Sequence, residues 1–188
     1  MDDWLFVPLA ELETHLDHIR AAPRECGTLE LIVRRPKTDR REVLTEGELD
    51  LTLGLVGDDW LARGGYHGAP ADPNVQLTIM NARAIAAVCP HAPRRPEAGD
   101  QLYVDFDISV EHLPPGTQLR IGQAVVEVTA EPHNGCKKFA RRFGQDAVKF
   151  VNSPTGKQLR LRGLNARVVQ PGKIRIGDVV TKLRSTVS

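Results

Sequence analysis

The chain has 188 residues, 41% hydrophobic and 26% charged, the size and balance of one folded domain rather than a disordered segment. Its 25 Lys and Arg against 24 Asp and Glu leave a formal charge of +1, so no overall field draws it to nucleic acid, and any basic work is local. Aromatic residues are only 5%, too few for a single-strand stacking platform.

Leu5, Leu9, Leu12, Leu16 and Ile19 recur at spacings of 4, 3, 4 and 3, which predicts one amphipathic helix over 4–22, stopped by Pro23. Residues 28–33 read as a strand, 34–41 as a solvated basic turn and 41–45 as a returning strand. The glycine-rich segment 47–68 reads as loop. A strand is predicted over 75–80, then a short helix over 81–88 broken at Pro90. From 101 to 110 apolar residues alternate with period two, a long strand. Two stretches, 115–125 and 171–180, each carry Pro-Gly, a short strand, a glycine and a second strand, and are expected to be hairpins. Many short strands with frequent turns point to a mainly β fold with flanking helices, a small β-barrel of α+β character. The expected organisation is an N-terminal helical extension over 1–26 and a barrel domain over 27–188.

Three cysteines (Cys26, Cys89, Cys136) without Cys-x-x-Cys support neither a disulfide framework nor a structural zinc site. The acidic opening lacks the apolar run of a signal peptide, and no stretch reaches the roughly 20 apolar residues that span a bilayer. The expected setting is cytoplasmic and off the membrane.

Cys136 carries the richest chemistry. It follows a strand, and Asn134 is a fair cap for a helix running to Gly144, with Cys136 in the first turn. A helix N-terminus and nearby cations lower a thiol pKa. Lys137, Lys138, Arg141 and Arg142 supply the cations, with His133 as hydrogen-bond partner or proton acceptor. Such a thiolate can attack, carry sulfur or ligate a soft metal. The competing reading is structural: Cys136, Phe139, Ala140 and Phe143 share one helical face, so the thiol can be core and the cations a wet face. Further candidates are His67 in the loop 64–68, and Asn81 and Arg83 after a strand. Alternation over 159–163 places Arg160 and Arg162 on one side of a strand, a pair suited to an anion.

Taken in order, Gly54-Leu55-Val56-Gly57-Asp58, His67-Gly68, the strand over 75–80, Leu119-Arg120-Ile121-Gly122, the single Cys136, Arg162-Gly163 and Gly172-Lys173-Ile174-Arg175-Ile176-Gly177-Asp178 resemble the MOSC domain, named for the C-terminal part of molybdenum-cofactor sulfurases. The resemblance runs over about 27–183. It implies a strand-rich barrel and a cysteine that ligates molybdenum or carries sulfur beside a molybdopterin-type cofactor, as in amidoxime-reducing and hydroxylaminopurine-detoxifying enzymes. Cys136 matches that cysteine. Where the family often has Arg-x-Pro-Cys, this chain has His133-Asn134-Gly135-Cys136, and Asp107 stands where the family often has Asn. The chain has no pyridoxal-phosphate domain or reductase module, so a sulfur or electron donor protein is implied. The alternative is a non-catalytic module binding a phosphorylated ligand or a partner protein, with Cys136 structural.

Overall fold

A computed structural model describes residues 6–65 and 68–183. In chain order the elements are α1 (Leu9–Thr14), α2 (Leu16–Arg20), β1 (Gly27–Arg34), β2 (Glu42–Leu44), β3 (Glu46–Asp50), β4 (Gly54–Leu55), α3 (Trp60–Arg63), β5 (Leu77–Asn81), α4 (Ala82–Val88) and β6 (Leu102–Asp105). The second half holds β7 (Gln118–Ile121), β8 (Ala124–Val128), α5 (Lys137–Phe143), α6 (Gln145–Asn152), α7 (Pro154–Leu159), β9 (Leu164–Gln170), β10 (Gly172–Arg175) and β11 (Val179–Lys182).

The main sheet runs β11-β7-β8-β9-β5-β6-β1-β2, and β11 also pairs with β1. That last pairing closes a barrel, with β2 hanging on as an edge. Neighbours are antiparallel except β5 and β6, which are parallel and joined through α4. A parallel pair needs such a crossover, because a tight turn cannot return the chain in the same direction. A small second sheet, β10-β3-β4, packs against the barrel.

Two apolar clusters explain the strand patterns. Leu29, Ile32, Leu77, Ile79, Leu102, Val104, Leu119, Val126 and Ala166 fill the barrel interior. Met80 and Tyr103 point outward from the same strands, yet are fully buried under Leu12, Ile85, Phe139 and Phe150 of the surrounding helices. Strands covered on both faces read as nearly continuous apolar runs.

Several expectations change. The N-terminal helix is two short helices that break at His15, although Leu12 and Ile19 still lie on the buried side; Leu5 lies outside the described residues. The long strand at 101–110 ends at Asp105. Beyond it the Asp107 amide donates to Pro23, and its carboxylate accepts from Ser109 N, which turns the chain away. The glycine-rich 47–68 holds β3, β4 and α3. The second expected hairpin does not form, since β10 joins β3 while β11 joins β1 and β7. The segment 34–41 is not merely solvated: Arg35 is buried, and its guanidinium grips the Asp58 carboxylate at 2.8 and 2.9 Å. Among the described residues no helix is long and apolar enough to cross a membrane.

Candidate functional site

β8 ends at Val128, and residues 129–136 cross the outside of the barrel to α5. Thr129 starts the crossing by donating its hydroxyl to the Asn74 carbonyl at 2.6 Å. Asn165 of β9 donates to the Glu131 carbonyl at 3.2 Å. Asn152, at the end of α6, holds Gly135 from both sides: its Oδ1 accepts from Gly135 N at 2.9 Å, and its Nδ2 donates to Gly135 O at 3.1 Å. A Cβ at Gly135 would lie 2.8 Å from Val151 Cγ2, so the turn needs glycine to approach α6 this closely.

Cys136 follows directly. It is the N-cap of α5, one position before the expected first turn, and its carbonyl accepts from Ala140 N. Asn134 does not cap the helix. Phe139 and Phe143 are buried while Cys136 is exposed, so the core reading of this thiol is overturned. Gly135, Cys136, Lys137, Ala140, Arg141, Gln145 and Val148 line a surface pocket of about 660 Å³. Lys137, Lys138 and Arg141 are outside every ion pair of the described residues, and Lys138 is not in the pocket lining. Arg142, the fourth expected cation, is turned away: it pairs with Asp39 and donates to the Glu97 carbonyl, and it does not line the pocket.

His133 faces the other way. It lines a second cavity of about 410 Å³ together with Asn134, Lys157, Arg160, Arg162 and Gly163. Its Nε2 is 2.8 Å from Oδ1 of Asp100, whose side chain is completely buried. Arg162 Nη1 donates to the other oxygen of Asp100 at 2.5 Å, and Nη2 donates to the Ala98 carbonyl. The Arg162 guanidinium also lies over the Phe139 ring, 4.9 Å from its centroid. Burial alone would raise the Asp100 pKa, but Arg162 and His133 outweigh it and hold the carboxyl below the ordinary carboxylate range. Burial, then Arg162, push the His133 pKa down. The neutral ring therefore donates from Nε2 to an ionised Asp100, leaving Nδ1 with a lone pair.

The remaining candidates are scattered. The strand expected over 159–163 is absent. Ser153 accepts from Gly156 N and Pro154 follows it, so 154–159 is helical, and Arg160 caps the helix at φ +51. Arg160 Nη1 then donates to Leu113 O at 2.7 Å. Asn81 is buried as the cap of α4, accepting from Arg83 N and Ala84 N while donating to Phe106 O. Arg83 pairs with Asp105 and donates to His18 O. Neither residue lines the Cys136 pocket or the His133 cavity. His67 lies outside the described residues. Cys89 is buried, its thiol pKa raised by burial, and Cys26 is exposed. Asp100, Asn152 and the Arg35–Asp58 pair were not legible in the sequence. Asp58 stands in Gly57-Asp58-Asp59, which reads as an ordinary acidic turn.

The MOSC domain model matches residues 63–181, more than half of the chain. The chain belongs to the MOSC domain family. Three solved structures share its fold. YuaD from Bacillus subtilis is 16% identical, with 85% of this chain and 97% of YuaD covered and a TM-score of 0.58. YiiM from Geobacillus stearothermophilus is 17% identical, with 86% and 77% covered and a TM-score of 0.57. YiiM from Escherichia coli is 19% identical, with 86% and 72% covered and a TM-score of 0.54. No curated protein matches the chain in sequence. The MOSC barrel expected from the ordered motifs is therefore the fold of this protein.

Proposed function

We propose that this MOSC protein binds an anionic, molybdopterin-type cofactor at the Cys136 pocket, with the Cys136 thiolate as the protein's ligand to the metal. The observation that carries the reading is the exposed thiol at the start of α5, beside cations that no carboxylate of the described residues neutralises. Lys137 and Arg141 line the same pocket and suit an anion. A thiolate suits a soft, thiophilic metal. Among the described residues no group of three His, Cys, Asp or Glu could hold a metal ion, so the cofactor must bring most of its own donors. When bound, that group supplies two-electron redox or sulfur-transfer chemistry, with the electrons or sulfur coming from a donor protein.

The chain's own part is to hold and orient. Asn152 fixes the turn before Cys136, so the thiol leaves the protein in one direction. His133, neutral and fixed by Asp100, offers an acceptor for a proton at Nδ1. Lys157 and Arg160 border the His133 cavity, where an anionic part of a substrate fits.

The test is pterin and molybdenum content, measured on one sample from a cofactor-producing host, beside Cys136→Ala. Near-stoichiometric content that disappears in the variant is expected. Pterin and metal absent from wild type, or retained fully by the variant, would overturn the ligand role. A Cys136 peptide heavier by one sulfur atom would instead support a persulfide carrier.

A further inference from the structure

α2, β1, α4 and β6 border a groove of about 490 Å³ on the outside of the barrel. It shares no lining residue with the Cys136 pocket or the His133 cavity. Ile85 and Tyr103 are buried and form its floor with Leu31, while Ala82 and Ala86 on α4 are too short to fill it. A regular strand could not supply both of the β1 residues found here. The pairing of β1 with β6 steps from Leu29–Val104 to Leu31–Tyr103, which leaves Glu30 as an extra residue. Leu29 and Ile32 fill the barrel, whereas Leu31 packs on the outer helices. Without the extra residue, strict alternation would send Leu31 inward with Leu29. The bulge turns Glu30 and Leu31 to the same outer side, and both line the groove.

The other charged groups of the groove are answered within the protein. Arg83 forks Asp105, from Nε to Oδ1 at 2.7 Å and from Nη2 to Oδ2 at 3.2 Å, and its Nη1 donates to the His18 carbonyl at 2.9 Å. Arg95 donates from Nε to the Cys89 carbonyl at 3.0 Å and from Nη2 to the Pro90 carbonyl at 3.3 Å. Those carbonyls follow the C-terminal end of α4, where a cation is favoured. The Tyr103 hydroxyl donates to the Arg95 carbonyl at 3.3 Å, so the floor presents ring surface rather than a spare hydroxyl. Glu30 differs. It is exposed, and its carboxylate has no ion pair or hydrogen bond among the described residues. The groove joins an apolar floor to one carboxylate that meets no cation of the described chain.

We propose that this groove binds a small aromatic ammonium ion, with its ring on Leu31, Ile85 and Tyr103 and its protonated amine on Glu30. The space is that of a small-molecule site, where apolar lining supplies affinity and a few placed polar groups supply orientation. A ring covers the floor with few rotors to immobilise, and the amine gives Glu30 a charge-assisted hydrogen bond. A carboxylate or phosphate ligand would meet Glu30 with like charge. The inference does not rest on the cofactor reading, because the two sites share no residue.

The test is calorimetric titration with benzylamine at about pH 7 and low salt, where the amine is cationic. Wild type is expected to bind one equivalent saturably. Benzyl alcohol keeps the ring without the charge and should bind at least about tenfold more weakly. Butylamine keeps the charge without the ring, as a lysine side chain does, and should be at least about fivefold weaker. In Glu30→Gln, benzylamine should fall to within about twofold of benzyl alcohol. Ala86→Leu fills the groove from α4 with another good helix former and should weaken both ring ligands at least about tenfold. Glu48→Gln removes the same charge from an exposed position on β3 and should leave benzylamine affinity within about twofold, as should Cys136→Ala. No saturable binding in wild type, benzyl alcohol as tight as benzylamine, or unchanged binding in Glu30→Gln or Ala86→Leu would each overturn the proposal. So would a loss in Glu48→Gln equal to that in Glu30→Gln, or butylamine as tight as benzylamine, which would assign the groove to a lysine-like chain instead.

Discussion

Around Asp100 the charges are buried and answered; around Cys136 they are exposed and unanswered. Asp100 has no exposed surface and is bonded by Arg162 and His133. Cys136, Lys137 and Arg141 border an open pocket, and no carboxylate among the described residues pairs with either cation. Yet His133 and Cys136 are three positions apart on one crossing segment. The segment has one end fixed in the fold and one end open to a surface pocket. The lesson is a division of labour: buried ion pairs set the geometry, and the exposed cations, unpaired among the described residues, are the ones the proposed cofactor would use.

The comparison is broken most severely at the buried end. Asp100→Ala leaves Arg162 buried without its carboxylate, and unfolding by urea should show a loss of about 3–5 kcal/mol. A loss below about 1 kcal/mol would mean that Asp100 does not organise the segment. Asn152→Ala sits at the junction. It removes both bonds to the Gly135 backbone and should cost about 1–3 kcal/mol in the same measurement. It should also change the alkylation rate of Cys136 while leaving that of Cys26 unaltered.

The dependence on pH sharpens the comparison further. His133 in the folded chain is held below the ordinary histidine range, so the unfolded chain takes up this proton first as pH falls below about 6.5. The stabilising contribution is whole above that pH and declines below it. Melting temperatures between about pH 7.5 and pH 5 should fall in wild type and fall less steeply in His133→Gln. The smallest effect belongs to the open end. Cys136→Ala should alter unfolding free energy by no more than about 0.5 kcal/mol, because the thiol packs against no core.

The fold was largely legible in the sequence, and the site was legible in part. Period-two runs marked strands, and the ordered glycine motifs marked the family. Misreadings arose where tertiary contacts override local pattern. Leu159, Leu161 and the arginines between them alternate like a strand, but Ser153 and Pro154 start a helix that runs through Leu159. The run 101–110 keeps its alternation past Phe106, yet Asp107 turns the chain. Cys136 stood out because cations, a histidine and a helix start share one short stretch. Asp100 did not, because its partners lie 33 and 62 positions away and nothing local marks a lone aspartate after Gly99. Asn81 looked like a ligand residue because it is polar beside a strand; capping α4 is what uses it.

The central claim, that Cys136 is the protein's contact to the cofactor, is tested most directly by cysteine protection. Protein from a cofactor-producing host would be treated with limiting iodoacetamide before and after the cofactor is stripped, and the three cysteines mapped by peptide mass. The account predicts that Cys136 is shielded in the loaded protein and labelled after stripping, that Cys26 is labelled in both, and that buried Cys89 is labelled in neither. Equal labelling of Cys136 in the loaded and stripped protein would contradict it.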